Sequence, residues 1–366
     1  MEILGLLQGA PLPASVLEAD VLPARMAEYR PSDLDALCTA GEVVWVGAGA
    51  LGSGDGRVRL LFRDQVGLLA PAPDESTEDP TARALLDQLD RAGASFWPEL
   101  VAAASEAGAP YDEPTVLASL WDLVWAGSVT NDSLAPVRAL SERRPSGGRG
   151  GRKGRPRPGR LTRLGPPSAA GRWSLVAPLR GEAVAPTAIA TARAGQLLER
   201  YGVLTREAAL GEGAEGGFAG VYPVLKELEE RGQVRRGYFI ESLGGAQFAL
   251  PGAVDRLRGA ASERVAADAE PTVVLLAATD PAQPYGAALP WPETTGRPGR
   301  VAGAHVVLID GEPAVFLERG AKSLVTFPAA DRPGWAEALR SLVDGGRLRS
   351  IEIGKVDGAP VAESGV

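Results

Sequence analysis

Three stretches of the chain carry leucine, glycine and valine in one spacing: Leu34, Leu37, Gly41 and Val43; Leu120, Leu123, Gly127 and Val129; Leu225, Leu228, Gly232 and Val234. Leucines three residues apart share one face of a helix. The glycine is the left-handed residue that closes such a helix, and the valine opens a strand. After the first and third copies the sequence reads as a hairpin. A helix that closes on glycine and passes directly into a two-stranded ribbon is the back half of a winged helix, a module that most often contacts nucleic acid by helix, wing or both. Any helix–Gly–strand junction gives the same spacing, and Leu339, Leu342, Gly346 and Leu348 nearly repeat it where no wing is expected.

The chain's 366 residues leave room for about two to four domains. No run of about 18 apolar residues occurs, so nothing reads as a membrane span. Residues 1–14 lack a basic start and contain Pro11 and Pro13, which makes a poor signal peptide. The single cysteine, Cys38, excludes an internal disulfide and reads as a core thiol. The single histidine, His305, lies in an alternating apolar run and reads as a strand residue rather than a catalyst. With this inventory, Ser-His-Asp, Cys-His and zinc-hydrolase schemes lack raw material. Chemistry in this chain falls to carboxylates or backbone groups.

A net charge of −8 argues against indiscriminate nucleic-acid binding, but the charge is uneven. Arg143, Arg144, Arg149, Arg152, Lys153, Arg155, Arg157, Arg160 and Arg163 share one run with glycines and prolines. Such a composition builds no packed core. The run either neutralises phosphates or is a solvated linker that happens to be basic.

These signals predict an α+β chain of tandem winged helices followed by a small β-rich, barrel-like domain. The expected divisions are a first winged-helix unit with an N-terminal extension (1–75), a helix-turn-helix body with a rudimentary wing (76–140), a basic disordered linker (141–171), a winged helix with a well-formed wing (172–258) and the β-rich domain (259–366). In the first unit, strands are expected at 43–46 and 58–62, with a glycine-rich turn between them. Pro223 fits the third repeat helix only if that helix begins near Gly220. The terminal domain is expected to hold a buried strand at 272–278, a hairpin turning at Asp310-Gly311, a strand at 324–327, a helix at 335–343 and a final strand at 348–356.

No phosphate-binding Gly-x-x-x-x-Gly-Lys-[Ser/Thr] loop occurs, and Asp74-Glu75 and Asp112-Glu113 read as loop and cap residues, so no ATPase site is visible. Gly52, Gly54 and Gly56 fall in a hairpin, which fails the dinucleotide pattern. Two candidate sites remain. Arg235 and Arg236 precede Tyr238 and Phe239 on the third wing, a pattern suited to phosphate contact and base stacking; the alternative is aromatic packing beneath solvated arginines. Asp280, at the end of a buried strand and close to Gln283 and Tyr285, is a candidate carboxylate for base excision; the alternative is Asp-Pro turn chemistry.

Longer words in the sequence resemble one family. Arg200–Arg206 (RYGVLTR), Gly216–Leu225 (GGFAGVYPVL), Arg235–Phe239 (RRGYF) and Gly244–Phe248 (GGAQF) are similar to the C-terminal region of Lhr, the bacterial large helicase-related protein. So are Tyr29–Asp35, Gly41–Gly47, Asp280–Gly286 and Leu289–Pro292. The resemblance implies a superfamily 2, ATP-dependent 3′-to-5′ DNA helicase acting in DNA repair on single strands and RNA:DNA hybrids. It also implies winged helices with a barrel-like module similar to AlkZ-type DNA glycosylases, and homo-oligomers and uracil-DNA glycosylase activity in some members. Both RecA-like motor domains are missing from the sequence, so ATP and Mg are implied only for motor domains acting in cis or in trans. No cofactor or metal is expected in the chain itself. No Gln-x-Gln pair matches the AlkZ-type motif.

The expected role is that of a cytoplasmic, nucleoid-associated accessory region that binds DNA through Arg235, Arg236, Tyr238, Arg206, Arg152, Lys153 and Arg155, or that assembles protomers. The alternatives are a monofunctional uracil-DNA glycosylase with catalytic Asp280 and a pure oligomerisation module.

Overall fold

The computed structural model describes residues 1–72, 77–108, 112–142, 165–213, 216–241, 243–244, 246–264 and 270–363. The basic run at 143–163 and the Asp74-Glu75 pair lie outside them. Residues 1–15 and 28–189 pack as one unit; residues 16–27 and 190–366 pack as a second.

All three repeats end as their spacing requires. Gly41, Gly127 and Gly232 have φ of 73°, 79° and 72°. In each, the amide after the glycine bonds back to the carbonyl of the second repeat leucine: Glu42 to Leu37 at 3.0 Å, Ser128 to Leu123 at 3.0 Å and Gln233 to Leu228 at 2.8 Å. This six-to-one closure satisfies a carbonyl the helix leaves open and turns the chain into the strand. Gly346 has φ 71°, but no strand follows it directly.

Each repeat belongs to a winged helix with the same connectivity. The first contains α1 (Glu2–Leu7), β1 (Leu12–Pro13), helical turns at Ala14–Val16 and Leu17–Val21, α2 (Pro31–Thr39), β2 (Val43–Ala50) and β3 (Gly56–Phe62). The second contains α3 (Pro80–Ala92), β4 (Ser95–Phe96), α4 (Trp97–Glu106), α5 (Glu113–Trp125), β5 (Val129–Asn131) and β6 (Arg172–Leu175). The third contains α6 (Pro186–Tyr201), β7 (Val203–Leu204), α7 (Arg206–Gly211), α8 (Gly217–Glu230), β8 (Arg235–Gly237) and β9 (Gln247–Ala249), with α9 (Pro251–Arg264) after it. In every case the last strand lies between the other two: β1-β3-β2, β4-β6-β5 and β7-β9-β8.

Three local expectations change. β6, read at the head of the third winged helix, pairs with β4 and β5 and completes the sheet of the second. Its partners lie on the far side of the basic run, out of reach of any local pattern. The expected turn at 47–56 is shorter, because β2 continues to Ala50 and β3 begins at Gly56. Glycine stays in the strand at Gly47 because the Val124 backbone of α5 lies against it. Asp55, at the end of this turn, is buried and accepts from the Ser15 hydroxyl at 2.5 Å. Finally, α8 begins at Gly217, so Pro223 sits inside it. Pro223 and Ala219, whose carbonyl loses its amide partner, are both exposed, so water can satisfy that carbonyl.

The core of the third winged helix joins Leu197 and Leu198 of α6, Val221 and Leu225 of α8, Val234 and Phe248. Both repeat leucines of α8 thus face inward, Leu225 fully and Leu228 in part.

The β-rich region is an open sheet of six strands and not a closed barrel. Its order is β10 (Val273–Ala277), β11 (His305–Ile309), β12 (Glu312–Leu317), β13 (Ser323–Thr326), β14 (Lys355–Val356) and β15 (Ala359–Pro360). β13 and β14 run parallel and the other neighbours antiparallel. Both faces are covered at β11, all five residues of which are buried, whereas β10, expected to be buried, is an edge strand with Val274 exposed. One face packs on Leu339 and Leu342 of α10 (Trp335–Asp344), the other on Tyr285 and Trp291. The expected strand at 348–356 shrinks to the two residues of β14.

Candidate nucleic-acid interface

The wing of the third winged helix has a buried strand and an exposed one. In β9, Gln247, Phe248 and Ala249 are all buried. They pair with Gly237, Arg236 and Arg235 of β8, and both arginines are exposed. The Arg236 guanidinium lies 5.9 Å from the centre of the Phe248 ring, a cation–π contact that ties its stem to the core. Tyr238 follows at 83% exposure, while Phe239 turns inward against Val203, Ala249, Ala253 and Val254. The two readings of the wing therefore divide by residue. Phe239 and Phe248 are packing; Arg235, Arg236 and Tyr238 are each exposed, with Arg236 on the Phe248 side of the ribbon.

α8, in the position of a recognition helix, carries different chemistry. Its exposed residues run from Ala219, Gly220 and Pro223 to Lys226, Glu227 and Glu230. Glu227 pairs with Arg231 at 2.8 Å and Glu230 with Lys226 at 4.0 Å. An acidic C-terminal half repels a phosphate backbone. The wing strand β8, in contrast, carries two adjacent exposed arginines.

Arg206 is exposed in the first turn of α7, where the Thr205 hydroxyl accepts from the Ala208 amide at 3.1 Å. A cation at a helix N-terminus gains nothing from the helix dipole, so this charge does not serve the helix. Arg152, Lys153 and Arg155 lie outside the described residues.

Asp280 is 1% exposed, and its carboxylate is occupied. The Arg25 guanidinium donates to both of its oxygens, at 2.8 and 2.7 Å, and the Ala282 amide donates at 2.8 Å. Arg300 donates to the carbonyls of Thr279, Asp280 and Gln283. The other two members of the expected cluster are also committed. The Gln283 amide donates to the carbonyls of Ala278 and Tyr285, and the Tyr285 hydroxyl donates to the Gly311 carbonyl at 2.9 Å. The bond to Ala282 is the Asx turn that the Asp-Pro pair predicts.

Segment 16–27 brings in Arg25 and also Asp20, to which Arg347 donates twice, at 2.7 and 2.8 Å, with the His305 Nε2 at 3.2 Å. Burial alone would raise the Asp20 carboxyl, but the bonds from His305 and Arg347 outweigh it and hold the group below its ordinary value. His305, Asp20, Arg25 and Asp280 therefore join this strap to the β-rich sheet. No periodicity in residues 1–30 marked it.

A cavity of about 580 Å³ in the first unit is bordered by Trp121 and Trp125, and among the described residues its charged lining residues are Glu113 and Asp122. Among the described residues, no group of three or more His, Cys, Asp or Glu side chains could hold a metal ion, and no helix is long and apolar enough to cross a membrane.

Comparison with known proteins gives the following. Residues 1–63 and 183–269 match the third and fourth winged-helix domains described for the large helicase-related protein. Over 98% of its length the chain is 43% identical to the "Lhr helicase/probable uracil glycosylase" of Mycolicibacterium smegmatis, covering 24% of that protein. Over 89% of its length it is 36% identical to the "Lhr helicase/uracil glycosylase" of Escherichia coli, covering 22% of that protein. The chain thus spans about a quarter of the length of each relative. A solved structure, the Streptomyces sahachiroi DNA glycosylase AlkZ, aligns with a TM-score of 0.45 and 15% identity, covering 93% of this chain and 88% of that one.

Proposed function

The chain corresponds to a C-terminal region of the large helicase-related (Lhr) proteins, and on that premise we propose that its third winged helix holds single-stranded nucleic acid on the wing, for a motor carried on another part of an Lhr protein. The observation that carries this reading is the shared exposure of Arg235, Arg236 and Tyr238 on one short ribbon. Two guanidinium groups suit neighbouring phosphates, and an unpaired base can stack on a phenol ring without regard to sequence. Single-stranded DNA and the loose strand beside an RNA:DNA hybrid meet these demands equally. ATP and magnesium belong to the motor. Excision chemistry at Asp280 finds no comparable support in the geometry, because that carboxylate is enclosed and ion-paired.

Tyr238 gives the direct test. Tyr238→Ala is expected to weaken oligo-dT binding by roughly 5- to 100-fold, the range for one lost base stack. Tyr238→Phe keeps the ring and is expected to bind within about twofold of the parent. Equal affinity of all three proteins in a fluorescence anisotropy titration would remove the stacking role.

A further inference from the structure

Tyr238 projects into solvent with little around it, so its ring is placed by its backbone. That backbone leaves the sheet at Gly237, the last residue of β8, and the chain returns only at Gln247, the first residue of β9. Among the described residues between them, no peptide group pairs with a strand. One side chain takes the strand's place. The Gln247 Oε1 accepts from the amides of both Phe239 and Ile240, each at 2.8 Å. Its Nε2 donates to the Ile240 carbonyl at 3.0 Å, and lies 3.4 and 3.3 Å from the carbonyls of Leu243 and Gly244. Gln247 is 1% exposed, so water does not compete for these bonds.

We infer that Gln247 is the positioning residue of the wing: it fixes Tyr238 for stacking without touching the nucleic acid. This rests on the nucleic-acid reading given above. Tyr238 is bracketed by this one residue, whose backbone faces Gly237 and whose side chain grips Phe239. A carboxamide is the side chain that supplies an acceptor and a donor together, as a peptide group does. Leucine and methionine supply neither, and glutamate supplies the acceptor alone when ionised. A ring held in place before binding loses less freedom when a base lands on it, which is how a buried residue acts on affinity.

The test uses the full chain and oligo-dT. In Gln247→Met, the amides of Phe239 and Ile240 are expected to exchange with deuterium at least about tenfold faster without DNA, since both lose their acceptor. Binding to oligo-dT is expected to weaken by roughly fivefold or more, with the salt dependence unchanged because both arginines remain. In a Tyr238→Ala background the same change is expected to cost nothing further, because a residue acting through Tyr238 has nothing left to place. A general loss of folding would instead weaken both backgrounds alike and overturn the assignment. Gln247→Glu is the second variant. Ionised, it sets an oxygen against the carbonyls of Ile240, Leu243 and Gly244 where the amide donated, so faster exchange at Phe239 and Ile240 than in the parent is expected at neutral pH, and exchange as slow as the parent's would contradict the need for a carboxamide. If the parent chain fails to bind oligo-dT, the nucleic-acid reading falls and the positioning role falls with it, even where exchange shows that Gln247 holds the turn. If the parent binds and Gln247→Met binds equally well, only the positioning role falls.

Discussion

Arg25→Ala is expected to lower the stability of the second unit by about 3 kcal/mol, the lower end of the range for removing one partner of a buried ion pair. Asp280 is 1% exposed and Arg25 19%, so the aspartate is left charged, enclosed and short of two bonds. Arg25 also loses its bond to the Val21 carbonyl, at 2.9 Å, which stiffens the strap itself. About 3 kcal/mol is a large share of the 5–15 kcal/mol that holds a typical domain together. Replacing both partners with apolar residues of similar size, Arg25→Met with Asp280→Leu, is expected to recover much of the loss, because no buried charge then stands alone. Urea unfolding followed by far-ultraviolet dichroism reads both effects. An unchanged midpoint in Arg25→Ala would mean that Asp280 does not depend on the strap, and would return its carboxylate to the pool of groups available for chemistry.

Gly47→Ala is expected to cost the first unit about 3 kcal/mol or more. An added Cβ would stand 1.8 Å from the Val124 carbonyl oxygen, 2.7 Å from its carbon and 3.0 Å from the Trp125 Cα. These are backbone atoms at the end of α5, so no side-chain rotation relieves the clash. β2 and α5 would have to part, and with them the bond from the Thr130 hydroxyl to the Trp45 carbonyl at 2.5 Å. Ordinary overpacking costs about 1–3 kcal/mol where side chains can give way, and a backbone collision falls at or beyond the top of that range. Calorimetry of the variant checks this, and a melting temperature equal to the parent's would show that β2 and α5 are not in such close contact.

The winged helices were legible in the sequence because a helix ending is a local event. Gly41, Gly127 and Gly232 each need positive φ, and the leucines that precede them need a core, so spacing alone carries both requirements. The exposure of Arg235, Arg236 and Tyr238 was legible for a similar reason: where a charged strand pairs with an apolar one in a hairpin, the charged strand is the outer one. What escaped was nonlocal. The strap at 16–27 has no periodicity, and the residues that hold it, Asp280, His305 and Arg347, come from the other end of the chain. Asp280 therefore looked available when seen beside Gln283 and Tyr285, with Arg25 out of view. β6 was assigned to the wrong neighbour because the long basic run separates it from its partners. The terminal sheet looked barrel-like from its strand count, but closure depends on pairing between the first and last strands, which no strand pattern states. Gln247 was visible only as one letter of a family motif. Its role appears once the turn it fills is drawn.

The most direct measurement on the central claim is the salt dependence of oligo-dT binding by the full chain carrying Arg235→Ala with Arg236→Ala. Each phosphate contact on a single strand contributes about 0.7 to the slope of log affinity against log salt. The account predicts weaker binding at low salt and a slope shallower by about 1.4, with the melting temperature lowered only slightly, through loss of the Arg236 contact with Phe248. A double variant that binds as tightly as the parent, with the same slope, would contradict the account and leave the wing without a role in holding nucleic acid.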